Sequence, residues 1–174
     1  MGKVFAYGWS SQVPVPALPM HLVEAGAWHI TLNAPANPQA AQYLGVGFTL
    51  NGNPEGTHCV DASAYTGIRF TVSGTVTGCS FIYAVADSQH ESESFDPRGT
   101  GDATVYAPQA LVPGPTATPV TIAMPFSGTS APAGGNPAVA IDKTKLTRVQ
   151  WQFTVAPMTG TCAVDVRIDD VTFY

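Results

Sequence analysis

Charged side chains are scarce in this sequence. Asp, Glu, Lys and Arg together make up 11% of its 174 residues, whereas about a quarter is usual for soluble domains. Only seven residues are Lys or Arg, they form no basic run, and the net charge is −5. Because nucleic-acid binding requires a patch of cations that neutralises phosphates, the sequence predicts no nucleic-acid partner.

Long hydrophobic runs are also missing. No stretch approaches the roughly 18 apolar residues that a membrane-spanning helix needs, so we expect no membrane partner. The chain starts Met1-Gly2-Lys3 and passes directly into a strand-like segment, which predicts a mature domain that carries no signal peptide. The length predicts a single domain over residues 1–174, and we expect a monomer.

Helix-forming stretches are poorly represented. The chain contains 17 Gly and 15 Pro, and its many Val and Thr residues favour pleated strands. Segments bounded by Gly, Pro, Asn and Ser are typical of strands at 4–8, 27–32, 44–50, 67–73, 80–86, 119–126, 147–155 and 163–173. One helical turn is predicted at 62–65, and two long loops are predicted at 87–112 and 127–137.

Several of these strands alternate between apolar and polar residues. In the segment 147–155, the residues Val149, Trp151 and Phe153 share one face, and Gln150 and Gln152 share the other. This period of two is typical of antiparallel sheets with one face on a core and one face in water. The sequence therefore predicts an all-β fold, namely a two-sheet antiparallel β-sandwich (jelly roll).

The three cysteines form no CxxC pair, which disfavours a structural zinc site. Cys79 and Cys162 each follow a Thr-Gly turn and each open a strand-like run, so a disulfide between them is one prediction. A Cys59–Cys79 disulfide is the competing pairing. Three small buried thiols are the further alternative.

Three motifs occur in a fixed order along the chain. They are D-A-S-A-Y-T-G-I-R-F at 61–70, L-T-R-V-Q-W at 146–151 and the closing I-D-D-V-T-F at 168–173. This pattern resembles the galactose-binding-like β-sandwich of carbohydrate-binding modules from bacterial cellulases and hemicellulases. The resemblance covers roughly residues 40 to 174.

The resemblance implies a secreted, extracellular and non-catalytic module. Such a module recognises plant cell-wall β-glucans, namely cellulosic chains, mixed-linkage glucan or xyloglucan, and it targets an attached enzyme to them. The resemblance also implies a structural calcium ion with Asp169 and Glu24 as ligands. The chain departs from the family pattern at its start, because residues 1–26 show no clear acidic ligand motif.

Adjacent carboxylates at Asp169 and Asp170 raise a separate physical question. Strict alternation would place them on opposite faces, and a buried unpaired carboxylate is costly. Either a bulge turns one of them outward, or a cation or an arginine such as Arg167 compensates it.

A glycan site needs an aromatic surface and side chains that both donate and accept hydrogen bonds, as amides do. The outward residues Tyr43, Gln150 and Gln152 are candidates, together with Trp9 near the start of the chain. From the long loop, the sequence adds Asp96, Arg98 and Tyr106. Each has an ordinary alternative, as edge cover, solvent-facing strand residue or charged loop tip. A weakly charged, amide-lined surface favours neutral glucans over uronic acids.

Catalysis is disfavoured by the distribution of acids. Glycoside hydrolysis uses two carboxylates at a fixed separation, whereas Asp87, Glu91, Glu93 and Asp96 lie in one polar loop of the kind that is usually solvated. No nucleophile elbow and no HExxH motif occurs. The sequence thus predicts no enzyme. A protein-interaction or adhesion β-sandwich remains the alternative, and a polysaccharide lyase or hydrolase is less favoured.

Overall fold

The computed structural model describes residues 3–10, 15, 18–50, 58–91, 98–100, 109–126 and 140–174. These residues form two antiparallel five-stranded sheets. The front sheet has the order β1-β4-β9-β6-β7, and the back sheet has the order β2-β3-β10-β5-β8. The strands are β1 Val4–Ser10, β2 Met20–Glu24, β3 Ala27–Pro35, β4 Gln42–Thr49, β5 Gly67–Thr77, β6 Ser80–Asp87, β7 Gln109–Leu111, β8 Val120–Pro125, β9 Leu146–Val155 and β10 Thr161–Phe173.

The predicted two-sheet β-sandwich is confirmed, with two strands that the sequence pattern did not reveal. One is β2, a short strand without clear alternation, and the other is β7, which lies inside the predicted loop 87–112. The same predicted loop contains a short 3₁₀ helix at Ser88–His90, and a second one lies at Lys143–Lys145. No helix in the described part of the chain is long and apolar enough to cross a membrane.

The core lies between the sheets and is centred on Trp151. Its ring lies 5.3 Å from that of Phe70 and 5.9 Å from that of Trp28, both edge to face, and 6.1 Å from that of Phe48. These contacts join β9 of the front sheet to β3 and β5 of the back sheet. Such edge-to-face aromatic pairs add about 0.5–1.5 kcal/mol each beyond the apolar area they bury.

A disulfide joins Cys79, immediately before β6, to Cys162 in β10, and Cys59 forms no disulfide. The bond therefore links the front sheet to the back sheet across 83 residues of sequence. A disulfide that closes a loop of this length lowers the conformational entropy of the unfolded chain. It is expected to raise the free energy of unfolding by about 4 kcal/mol.

The pair Asp169 and Asp170 is accommodated by a β-bulge in β10. The pairing with β5 shifts its register between Asp169 and Thr172, and Asp170 has a φ of 51°. Both aspartates are exposed as a result. The first of the two explanations, a bulge that turns a carboxylate outward, is the one observed.

Candidate functional site

The outer face of the front sheet carries most of the predicted ligand residues that the structure describes. Strand pairing places them in rows that run across the sheet. One row contains Trp9, Tyr43, Thr154 and Ser80. The next contains Tyr7, Gly45, Gln152, Ile82 and Leu111, and the third contains Phe5, Gly47, Gln150, Ala84 and Gln109.

Two glycines of β4 make room for aromatic rings of β1. A Cβ atom on Gly45 would lie 2.5 Å from the ring of Tyr7, and one on Gly47 would lie 2.6 Å from Cζ of Phe5. Both distances are far below van der Waals contact, so the rings of this edge strand lie over the backbone of β4. Phe5 was not predicted from the sequence as part of this face. The signal was present in the spacing Phe-x-Tyr-x-Trp, together with two outward glycines on a neighbouring strand.

Trp9 and Tyr43 form an exposed aromatic pair at one end of this face. Their ring centroids are 5.5 Å apart with 39° between the planes, and Trp9 is 57% exposed. The pair lies on neighbouring strands, since Trp9 of β1 is the register partner of Tyr43 of β4. Such an exposed, sheet-supported aromatic surface can pack against the apolar face of a sugar ring.

Gln152 faces outward as predicted, but both ends of its amide are hydrogen-bonded within the protein. Its residue is only 6% exposed. Its Oε1 accepts a 3.0 Å hydrogen bond from the Tyr7 hydroxyl, and its Nε2 donates a 3.1 Å bond to Oγ1 of Thr154. The role of Gln152 as a direct glycan contact stays a prediction. Gln152 holds Tyr7 in place, because both ends of the amide already have partners.

Tyr7 remains a neutral hydrogen-bond donor in this arrangement. Burial raises the pKa of Tyr7 far above its ordinary value of 10.0, with Arg148 opposing the shift and Glu91 adding to it. The phenol therefore keeps its proton over the whole physiological range. This supports the direction of its bond to Gln152.

Gln150 differs from Gln152, although the two side chains share a face. It is also 6% exposed, but its Oε1 is shielded and has no hydrogen-bond partner among the described residues. Its register partners on either side are the small residues Gly47 and Ala84. A buried acceptor without a hydrogen-bond partner costs about 1–3 kcal/mol of stability. A water molecule or a ligand group therefore usually donates a hydrogen bond to it.

An ion pair closes the far end of the face. Nε of Arg148 lies 2.5 Å from Oε2 of Glu91, and both side chains are largely buried. Arg148 precedes Gln150 on the same side of β9. Apart from this internally neutralised pair, the three rows of the face carry no charged residue.

Arg98 does not extend over the face as predicted. It is 8% exposed, and its guanidinium donates to the carbonyl oxygens of Leu50, His58 and Thr147. These bonds tie the 98–100 segment to the end of the sheet, which is a structural role. The predicted ligand residues Asp96 and Tyr106 lie outside the described residues.

The carboxylates of the 87–91 segment are engaged in internal contacts. Asp87 is fully buried and accepts hydrogen bonds from the backbone of Gln89, His90 and Asp142, and its Oδ1 lies 2.6 Å from Nδ1 of His90. It thereby fixes the 3₁₀ helix against the loop that precedes β9. Glu91 is paired with Arg148, as described above.

The predicted calcium ligands do not assemble a metal site among the described residues. Oε2 of Glu24 lies 2.9 Å from Nδ1 of His29, and Oδ1 of Asp169 accepts from the backbone of Asp170. No group of three or more Asp, Glu, His or Cys side chains within the described ranges is arranged to hold an ion. Ca²⁺ takes six to eight oxygen ligands, so Glu24 and Asp169 alone would not complete its coordination.

The same fold occurs in two families of carbohydrate-binding modules. The family 11 module of the cellulosomal cellulase Lic26A-Cel5E of Clostridium thermocellum is 13% identical, with a TM-score of 0.57 over 99% of this chain and 86% of that one. The family 30 module of the cellulosomal cellulase Cel9D-Cel44B of Clostridium thermocellum is 14% identical, with a TM-score of 0.55 over 98% and 91%.

A third solved structure is a family 11 module from Clostridium thermocellum in complex with a β-1,3-1,4-mixed-linked tetrasaccharide. It is 11% identical, with a TM-score of 0.53 over 99% of this chain and 87% of that one. No protein-family model and no curated protein matches the sequence. At these identities the likeness concerns the fold, and the chain has the β-sandwich fold seen in carbohydrate-binding modules of families 11 and 30.

Proposed function

We propose that the domain is a non-catalytic module that binds neutral plant cell-wall β-glucans on the outer face of the front sheet. The binding surface centres on the Trp9–Tyr43 pair, and Gln150 supplies an acceptor for a sugar hydroxyl. The module acts in a secreted enzyme, which it targets to cellulosic chains, mixed-linkage glucan or xyloglucan. The solved complex of a family 11 module with a mixed-linkage tetrasaccharide supports this choice of ligand class.

The observation that carries the proposal is the exposed aromatic pair on an otherwise uncharged sheet face. The chain has three tryptophans, and one of them, Trp9, is 57% exposed. The ring of Tyr43 lies beside it, with a centroid distance of 5.5 Å. An exposed large aromatic of this kind marks an interaction surface. Because the described residues of the three rows carry no charge and the adjacent Arg148–Glu91 pair neutralises itself, the face suits uncharged sugars.

Affinity electrophoresis tests the proposal directly. The wild-type domain is run through gels that contain hydroxyethylcellulose, mixed-linkage glucan, xyloglucan, xylan or pectin. We expect retardation by the β-glucans and none by pectin. Trp9→Ala should abolish most of the retardation, whereas Tyr65→Ala, which removes an exposed aromatic from the turn before β5 of the back sheet, should leave it unchanged. Absence of retardation in every gel would contradict the proposal.

A protein-interaction domain is the second candidate, and a specific surface favours it. The edge strand β2 exposes Met20, Leu22 and Val23, and it pairs only with β3 among the described strands. Exposed apolar edge strands can accept a further strand from another chain. Substitutions in β2 and at Trp9 separate the two functions. If polysaccharide binding is kept when β2 is substituted and lost when Trp9 is substituted, the glycan site lies on the front face and not at β2.

Calcium stabilisation remains a prediction that rests on the family resemblance. A bound ion raises the melting temperature by mass action. We expect EDTA to lower the melting temperature of the wild-type domain and Asp169→Asn to remove that response. A melting temperature that EDTA leaves unchanged would count against the ion.

A further inference from the structure

A hollow of about 400 Å³ lies at the side of the sandwich, next to the front-sheet face. Three segments line it: the end of β5, the start of β6 and the residues that follow β7. The lining residues are Val76, Cys79, Ser80, Phe81, Leu111, Val112, Pro113 and Gly114. Its volume falls within the range of about 300–1,000 Å³ that is usual for small-molecule sites.

The hollow shares two lining residues with the proposed binding face. Ser80 is the last member of the row that starts at Trp9 and passes through Tyr43 and Thr154. Three strand spacings separate the two ends of this row, which corresponds to about 14 Å. Leu111, the last member of the next row, also lines the hollow and is 69% exposed.

The row between the aromatic pair and the hollow is open. Trp9 and Ser80 are exposed, and Tyr43 and Thr154 are half-buried. The hydroxyl groups of Thr154 and Ser80 lie along it. A chain of sugars that packs on Trp9 can therefore follow the row across the sheet and reach Ser80.

The walls of the hollow suit a sugar ring better than an ion or a polar peptide. They are mainly apolar, formed by Val76, Phe81, Leu111 and Pro113, and none of the lining residues is charged. Backbone polarity is low as well, because Val112 N is already bonded to the carbonyl of Phe81 at 2.8 Å and Pro113 has no N–H. Ser80 contributes a hydroxyl at the side that faces the row.

We propose that this hollow is an additional glycan subsite, which takes the sugar unit that follows those bound along the Trp9–Ser80 row. The inference rests on the proposed function and extends it, since it makes affinity depend on the length of the glycan. Short oligosaccharides bind the row alone. Longer ones gain contacts with Leu111, Val76 and Phe81.

Two substitutions test the subsite without touching the aromatic pair. Ser80→Phe blocks its entrance, and Leu111→Ala removes one wall. Both residues are exposed, so little change in melting temperature is expected. Thr75→Phe is the matched control, because Thr75 is an exposed strand residue on the outer face of the back sheet.

Isothermal titration calorimetry with tri-, tetra-, penta- and hexasaccharides of mixed-linkage glucan provides the readout. For the wild type and Thr75→Phe, we expect affinity to rise about tenfold once the oligosaccharide outgrows the row. In Leu111→Ala this gain should be lost, while trisaccharide affinity stays at the wild-type level. Ser80→Phe, which lies at the end of the row itself, should lose the gain as well.

If both variants keep the full dependence on length, the subsite is refuted while binding on the face stands. Trp9→Ala separates the two claims, because it should weaken the trisaccharide as well as the hexasaccharide. A wild-type domain that binds none of these oligosaccharides contradicts the subsite and the proposed function together.

Discussion

The two outer faces of the sandwich are built differently. On the front sheet, aromatic side chains of β1 lie over glycines of β4. Among the described residues, the three rows of its outer face carry no charge, and the Arg148–Glu91 ion pair lies at one end. On the back sheet, His29 lies between Glu24 and Asp165, at 2.9 and 2.8 Å, and Arg167 lies 3.8 Å from Glu24. The back face is an ordinary solvated surface, whereas the front face combines exposed aromatics with buried amides.

This contrast shows where the fold departs from what stability alone requires. A solvated sheet face needs only polar side chains, and the back face meets that need with surface ion pairs. The front face buries Gln150 with an unpartnered acceptor and exposes Trp9. Both features cost free energy in an isolated domain. A glycan site explains why the unpartnered acceptor of Gln150 and the exposed ring of Trp9 occur on the same face.

The largest effect is expected from Gly45→Ala. A Cβ atom at this position would lie 2.5 Å from the Tyr7 ring, so the ring must move, which disturbs its bond to Gln152. We expect a loss of about 1–3 kcal/mol in the free energy of unfolding, together with weaker glycan binding, measured by urea denaturation and affinity electrophoresis. Gly114→Ala is the control for the stability measurement, because its Cβ would meet no atom within 4 Å. Equal stability of the two variants would contradict the arrangement of the rings.

The two glutamines should respond in opposite ways. Gln152→Ala removes the partner of the Tyr7 hydroxyl and is expected to cost about 1–3 kcal/mol of stability. Gln150→Ala removes an acceptor that has no partner, so it should leave the melting temperature nearly unchanged and weaken binding. Chemical denaturation and calorimetry of both variants provide the comparison. If Gln150→Ala lowered stability and Gln152→Ala weakened only binding, Gln150 would be the structural residue and Gln152 the ligand contact.

Alkaline pH should weaken the fold through two buried tyrosines. Burial raises the pKa of Tyr7 and of Tyr83 above the value of 10.0 expected in the unfolded chain. Since the folded state holds these protons more tightly, their stabilisation is complete below about pH 10 and is lost as the pH rises further, by at most about 1.4 kcal/mol per pH unit for each tyrosine.

Tyr83→Phe sharpens this prediction, because its hydroxyl has no partner among the described residues. The variant should be about as stable as the wild type at pH 7 and should lose less stability above pH 10. Urea titrations at several pH values measure this. An identical alkaline decline in both proteins would show that Tyr83 does not contribute.

The smallest effect is expected on the back face. The contacts of His29 join side chains that are partly exposed, and surface pairs of this kind contribute about 0.2–1 kcal/mol. His29→Ala should therefore shift the melting temperature only slightly and leave glycan affinity unchanged. A loss of glycan affinity comparable to that of Trp9→Ala would show that the ligand binds the back sheet, which contradicts the proposed site.

Local patterns were sufficient to predict the sandwich and much of its core. Period-two alternation identified Trp151 as buried, and it placed Gln150 and Gln152 on the correct face. Alternation cannot show how deeply an outward residue lies, because that depends on its neighbours. Gln152 is covered by Tyr7, which is 145 residues away in sequence. The structural role of Arg98 was hidden for the same reason, since its three acceptors come from three distant segments.

The most direct test of the central claim is an NMR titration of the ¹⁵N-labelled domain with a mixed-linkage glucan oligosaccharide. The account predicts that the largest amide shifts occur in β1, β4 and β9 around Trp9, Tyr43 and Gln150, and that β3 and β10 near His29 and Asp165 stay unshifted. Shifts concentrated on the back sheet, or on the exposed edge of β2, would contradict it.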